Sequence, residues 1–147
     1  MPTFKKILCP VDFDDNSVEA LAMAIDLARQ HDGQLFLVHA APPVDPLVVS
    51  APIVFAREKE EARKNLNHMA ERYLRDIKHE TMLRVGHPAP EILAAVDETG
   101  ADLVVMATHG RTGVSHLVLG SVAERVVREA PCPVLIVRAK AAARAAA

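Results

Sequence analysis

Glycine is scarce in this chain, with six residues in 147. Aromatic side chains make up only 3%, so a core must be built mainly from aliphatic groups, which a hydrophobic content of 50% can supply. Only two cysteines occur, Cys9 and Cys132. Each lies in an apolar context and reads as a buried free thiol, not as half of a disulfide or metal site. An excess of one charge sign is missing too. The net charge is −2, with acids and bases interspersed. That balance argues against nucleic acid as a partner, and no polybasic block argues for an anionic membrane. No apolar run approaches the roughly 18–20 residues of a membrane span. The opening MPTFKKILCPVDF reaches Pro10 and Asp12 too soon to read as a signal peptide. A soluble cytoplasmic protein is expected, with neither nucleic acid nor membrane as partner. The length suits one domain able to bury a core without staples. The low-complexity stretch 140–147 is set aside as a tail, leaving one domain over 1–139.

What is present is an alternation of short apolar runs and helical patterns. FKKILCPVD (4–12) reads as a buried strand. The helix after it is expected to start on a capping box, Asn16 with Glu19, and to stop at Gly33. QLFLVHAA (34–41) is a second strand, and the proline-punctuated 42–54 is expected to be a flap-like loop. Residues 56–78 carry the clearest helical period, with Leu66, Met69, Ala70, Tyr73, Leu74 and Ile77 on one face. A third strand (80–86) alternates in the manner of an edge. A helix (88–100) then has proline in its first turn and Gly100 past its end. ADLVVMAT (101–108), a helix over 120–130 and CPVLIVRA (132–139) complete the series. Strands that alternate with helices imply one parallel sheet covered on both faces, an α/β doubly wound domain. In the common orders 2-1-3-4-5 and 3-2-1-4-5, ligands bind beyond the carboxyl ends of the strands, where the winding reverses.

The first strand ends in PVDFDDNS, with three aspartates and no glycine. The usual dinucleotide and P-loop glycine patterns therefore fail at their required position, and acid there would repel phosphate. Half of the glycines, Gly110, Gly113 and Gly120, instead follow strand four in MATHGRTGVSHLVLGS. A THGRTG turn can approach an anion closely and offer successive amides, with Arg111 and His109 as side-chain donors. Ser121 with Glu124 has capping-box spacing, so Ser121 is the expected N-cap of the last helix. The free amides and positive dipole of that helix start suit a phosphate, and Gly120 would let it come near. Two such devices ten residues apart suit a polyphosphate. The competing explanation is that the glycines and the cap simply close a loop, and their clustering favours the ligand. If strands one, two and four are neighbours, Val11, Ala40 and Met106 could sandwich a base. Asp12 or its backbone could then bond a base edge or a ribose. Taken singly, each apolar residue is better explained as core.

These residues resemble the universal stress protein (UspA-like) family. The resemblance rests on MATHGRTGVSHLVLGSVAERVVREAPCPVLIVR and ILCPVDFDDNSVEALAMAIDLA and covers 4–138. It implies an adenine-nucleotide α-hydrolase-like fold with strand order 3-2-1-4-5. The ATP-binding subset of the family carries a glycine, two residues, a glycine, nine residues, then Gly-Ser or Gly-Thr. Gly110, the nine residues 111–119 and Gly120-Ser121 match the second half. Ala107 stands at the first glycine. Alanine is the smallest replacement, so ATP binding is expected to be weakened or kept, not abolished. The resemblance implies that Ala107, Thr108, His109, Gly110 and Arg111 wrap ribose and phosphates. Gly120, Ser121, Val122 and Ala123 would hold the triphosphate, and Pro10, Val11, Asp12 and Ala40 would face adenine. Magnesium would be carried by the phosphates, with no protein side chain as ligand. A homodimer paired through 132–138 is also implied.

The function that follows is a nucleotide-dependent stress-response or signalling module with slow or no hydrolysis, since no Walker lysine or water-positioning glutamine is evident. The alternative within the same fold is a nucleotide-free dimeric scaffold, for which Ala107 speaks. A phosphotransfer receiver would use the aspartates after strand one, but MLRVGHP (82–88) supplies no phosphoacceptor aspartate. Seven histidines without ligand spacing give a metalloenzyme little support.

Overall fold

The computed structural model describes residues 2–43, 45, 47, 51–108 and 119–138. Five strands, β1 (Lys6–Pro10), β2 (Gln34–Ala41), β3 (His79–Val85), β4 (Leu103–Ala107) and β5 (Val134–Val137), form one sheet. Its order is β3-β2-β1-β4-β5 and every neighbouring pair is parallel. This is the 3-2-1-4-5 winding. The chain steps outward from β1 to β3, returns to β4 beside β1, and steps out the other way to β5. The reversal therefore falls between β1 and β4, where Ile7 faces Leu103 and Leu8 faces Val104.

Alternation along the strands feeds two aliphatic cores. Ile7, Cys9 and Val11 point to one face with Leu35, Leu37 and Val105. There they meet α1 (Asp15–His31) through Leu21, Ala24 and Ile25, and α2 (Ala51–Tyr73) through Leu66 and Met69. Leu8, Phe36, Val38, Val104 and Met106 point to the other. They meet α3 (Pro88–Thr99) through Ile92 and Val96, and α4 (Ser121–Glu129) through Ala123 and Val126. Burial on both faces is why β1 and β4 read as continuous apolar runs. Among the described residues, no helix is long and apolar enough to cross a membrane.

Several local expectations are corrected. The N-cap of α1 is Asp14, not Asn16: its carboxylate accepts the Ser17 amide at 2.8 Å. Aspartate caps as well as asparagine, and Asp14 is where the backbone leaves the extended region. Gly33 does not supply the left-handed turn that ends α1, because Asp32 does so, with φ 50° and ψ 50°. What Gly33 supplies is space, since a Cβ there would lie 2.6 Å from the Phe4 carbonyl oxygen. α2 begins at Ala51, inside the expected loop 42–54, with Pro52 in its first turn, where a missing amide costs nothing. It ends at Tyr73, five residues short of the expected 78. Leu74 and Ile77 stay buried through a tight turn closed by the Ile77 amide on the Leu74 carbonyl (3.1 Å). β3 is an edge strand, as its alternation suggested, and Gly100 does close α3, with φ 68°.

Candidate functional site

The carboxyl ends of β2, β1 and β4 lie side by side at the reversal. β1 pairing runs one residue past Pro10, since the Val11 amide donates to the Val38 carbonyl at 2.8 Å. The chain then turns at Phe13, which sits at φ 66°, a left-handed conformation costly for a bulky L-residue. Two contacts brace the turn. His39 Nδ1 lies 2.7 Å from the Val11 carbonyl oxygen, and the His39 and Phe13 rings have centroids 4.4 Å apart.

Acid at the end of β1 is directed at a helix start. Asp14 caps α1 and Asp15 occupies its first turn, where the helix dipole favours negative charge. Asp12 is tied to the same turn. Its amide donates to the Ser17 hydroxyl at 3.0 Å, and that hydroxyl donates to Asp12 Oδ1 at 2.8 Å. The PVDFDDNS carboxylates are thus partly compensated by α1, which eases their conflict with an anionic ligand.

The second wall is the exit of β4. The Thr108 amide continues the ladder to the Val137 carbonyl at 3.2 Å. The Thr108 carbonyl in turn accepts the Gly120 amide at 2.9 Å. Strand end and helix start are therefore adjacent, although eleven residues separate them in sequence. Gly120 is the N-cap of α4, in extended conformation (φ −62°, ψ 157°). This corrects the expectation for Ser121, which is the first helical residue and is exposed. The expected capping box does not form, because Glu124 pairs with Arg128 one turn on and does not reach back. Gly120 offers no side-chain acceptor. The amides of Ser121, Val122 and Ala123 lie in the first turn, where a helix has no intrahelical partners for them. An uncapped start of this kind fits the oxygens of a phosphate.

The sequence-derived site residues separate into groups. Pro10, Val11, Asp12 and Ala40 line the ends of β1 and β2, Ala107 and Thr108 the end of β4, and Gly120, Ser121, Val122 and Ala123 the start of α4. His109, Gly110, Arg111 and Gly113 lie outside the described residues. The sandwich of a base between Val11 and Met106 is not assembled. Val11 packs into the α1/α2 core and Met106 into the α3/α4 core, on opposite faces of the sheet. Ala107 packs on the same core as Val11, and Ala123 is buried at the foot of α4. Sequence reading missed Phe13 and Ser17. Nothing in a sequence marks a phenylalanine for the left-handed region. A serine five residues after Asp12 also looks like an ordinary first-turn helix residue.

A family model described as the universal stress protein family matches residues 3–138. Universal stress protein MJ0531 of Methanocaldococcus jannaschii is 38% identical over 144 residues, covering 92% of this chain and 82% of that protein. The structure of the protein MJ0577, reported as a structure-based assignment of biochemical function, superimposes with a TM-score of 0.85 at 26% identity. That match covers 95% of this chain and 99% of the other. A universal stress protein solved in complex with cAMP superimposes with a TM-score of 0.63 at 26% identity, covering 93% and 98% of the two chains. With the family model spanning nearly the whole of the described fold, the chain belongs to the universal stress protein family.

Proposed function

We propose that this chain binds an adenine nucleotide, ATP with magnesium, in the crevice between β1 and β4, and acts as a nucleotide-dependent stress-response or signalling module. The observation that carries this reading is the Gly120–Thr108 hydrogen bond of 2.9 Å. It holds the uncapped start of α4 against the strand end at the winding reversal, the position at which doubly wound sheets take ligands. A family neighbour was solved with cAMP, an adenine nucleotide, which supports the same ligand class here. The triphosphate would lie on the amides of 121–123, with Ala107, Thr108, His109, Gly110, Arg111 and Gly113 around ribose and phosphates. Pro10, Val11, Asp12 and Ala40 would face the adenine, and magnesium would be carried by the phosphates. Hydrolysis would be slow or absent, with occupancy rather than turnover as the signal.

The test is direct. Protein purified without added nucleotide is denatured and its supernatant read by mass spectrometry, and MgATP is titrated by calorimetry. ATP release or a saturable heat supports the reading. Neither signal, with ATP, AMP and cAMP all tried, rejects it in favour of a nucleotide-free scaffold. The homodimer through 132–138 belongs to the same proposal. β5 is an edge strand with Leu135 37% exposed, an apolar edge of the kind proteins cover. Sedimentation of wild type and Leu135→Lys as equal-sized monomers would reject that part.

A further inference from the structure

Ser17 is a buried polar side chain, 4% exposed, within an otherwise aliphatic core surface. We infer that Ser17 is a positioning residue for nucleotide binding, acting through Asp12. The inference rests on the nucleotide reading above. The Ser17 hydroxyl closes a ring with Asp12: it accepts the Asp12 amide at 3.0 Å and donates to Asp12 Oδ1 at 2.8 Å. The Ser17 amide, in turn, is held by the Asp14 cap at 2.8 Å. Backbone and carboxylate of Asp12 are thereby fixed together to the first turn of α1.

The arrangement has a use that folding alone does not require. α1 already has its cap in Asp14. Asp12 stands directly after β1, next to the left-handed Phe13, and β1 neighbours β4, whose exit holds the uncapped start of α4. A carboxylate turned from there toward the phosphates would repel them, and the Ser17 hydroxyl is a contact that opposes this turn. Held by Ser17 at the positive end of α1, it stays at the nucleoside end. A carboxylate accepts hydrogen bonds and cannot donate them. The ligand groups it can receive are therefore donors, the ribose hydroxyls or the adenine amino group. Ser17 sets the direction from which they are received and touches no ligand itself.

A double-mutant cycle on nucleotide affinity tests this, with MgATP titrated by calorimetry into wild type, Ser17→Ala, Asp12→Ala and the double variant. Ser17→Ala should weaken binding about five- to tenfold, the scale of one hydrogen bond. The double variant should bind no more weakly than Asp12→Ala alone, because Ser17 has nothing left to position. Ser17→Thr, which keeps the hydroxyl, should recover most of the loss. Additive losses in the cycle would mean that Ser17 acts by stability and not through Asp12, and would overturn the inference. So would unchanged affinity in Ser17→Ala. If Ser17→Ala fails to fold, the comparison of wild type with Ser17→Thr and Asp12→Ala decides. A Ser17→Thr protein as weak as Asp12→Ala would overturn the inference, and one near wild type would support it. A wild type that binds no adenine nucleotide would reject the functional reading together with this inference, and is distinguished from the other outcomes by that titration alone.

Discussion

The amide of Gly120 and the carbonyl of Thr108 meet at 2.9 Å, so the loop that leaves β4 returns to the point it left. The start of α4 is therefore placed by the sheet, and Gly120 stands at the N-cap, where a phosphate would approach.

Gly120→Val should abolish measurable nucleotide binding while leaving the fold in place. Valine is a poor N-cap and should cost only about 1 kcal/mol of stability. Its branched side chain would stand over the first-turn amides. Calorimetry with MgATP read beside a thermal melt checks this. A protein that unfolds in parallel with its loss of affinity would show that the glycine serves loop closure.

Ala107→Gly bears on the departure from the family pattern. The Ala107 methyl packs against the α1/α2 core, and its strand pairs Ala107 with Val137. Removing it should destabilise the protein by about 1 kcal/mol, the usual cost of a strand-interior glycine. ATP affinity should stay within about threefold, or roughly 0.6 kcal/mol. A tenfold gain would mean that the methyl stands in the ligand's path.

At the opposite end of the sheet, the Asp102 carboxylate accepts the Lys5 amide at 3.0 Å and the Lys6 amide at 3.2 Å, joining the starts of β1 and β4. Asp102→Ala should cost about 1 kcal/mol in urea unfolding, at the low end for charged hydrogen bonds because the site is partly exposed. Nucleotide affinity should not change. A change in both would show that the sheet transmits strain from one end to the other.

Burial pushes the Cys9 thiol from 9.0 up to about 12. The unfolded thiol loses its proton near its ordinary value while the folded one keeps it. Its contribution to stability is therefore complete below pH 9 and is lost as the pH rises from there toward 12. Cys132 is also raised, first by burial and then by the charge of Asp102, but it is only partly buried. Alkylation of native protein at pH 8 should mark Cys132 first and leave Cys9 unmarked until urea is added. Equal labelling rates would contradict the burial of Cys9.

Much of the fold was legible because periodicity follows from geometry. The apolar runs 103–106 and 134–137 both read as strands buried on two faces. β4 is so buried, whereas β5 is the sheet edge and leaves Leu135 exposed, because a run of apolar residues does not by itself fix a strand's place in the sheet. Boundaries were harder. Asn16 and Asp14 are equally good caps by chemistry, and only the backbone selects Asp14. The Ser121–Glu124 spacing suggested a box, yet Glu124 finds Arg128 instead. That β1 and β4 are neighbours at the reversal agrees with the order 3-2-1-4-5 implied by the family resemblance, one of the two windings left open by the pattern of elements. The bracing of the β1 exit was not legible: the Phe13–His39 contact joins residues 26 apart in sequence, and neither has a composition that marks it.

The left-handed Phe13 also bears on how a ligand would be received. Its unfavourable backbone, of order 1 kcal/mol, is held by the His39–Val11 and His39–Phe13 contacts of the folded protein. The floor is thereby shaped during folding. A nucleotide bound there as proposed would spend little binding free energy on ordering the β1 exit. Differences in affinity among adenine nucleotides should then report their own contacts and not the cost of moulding the site.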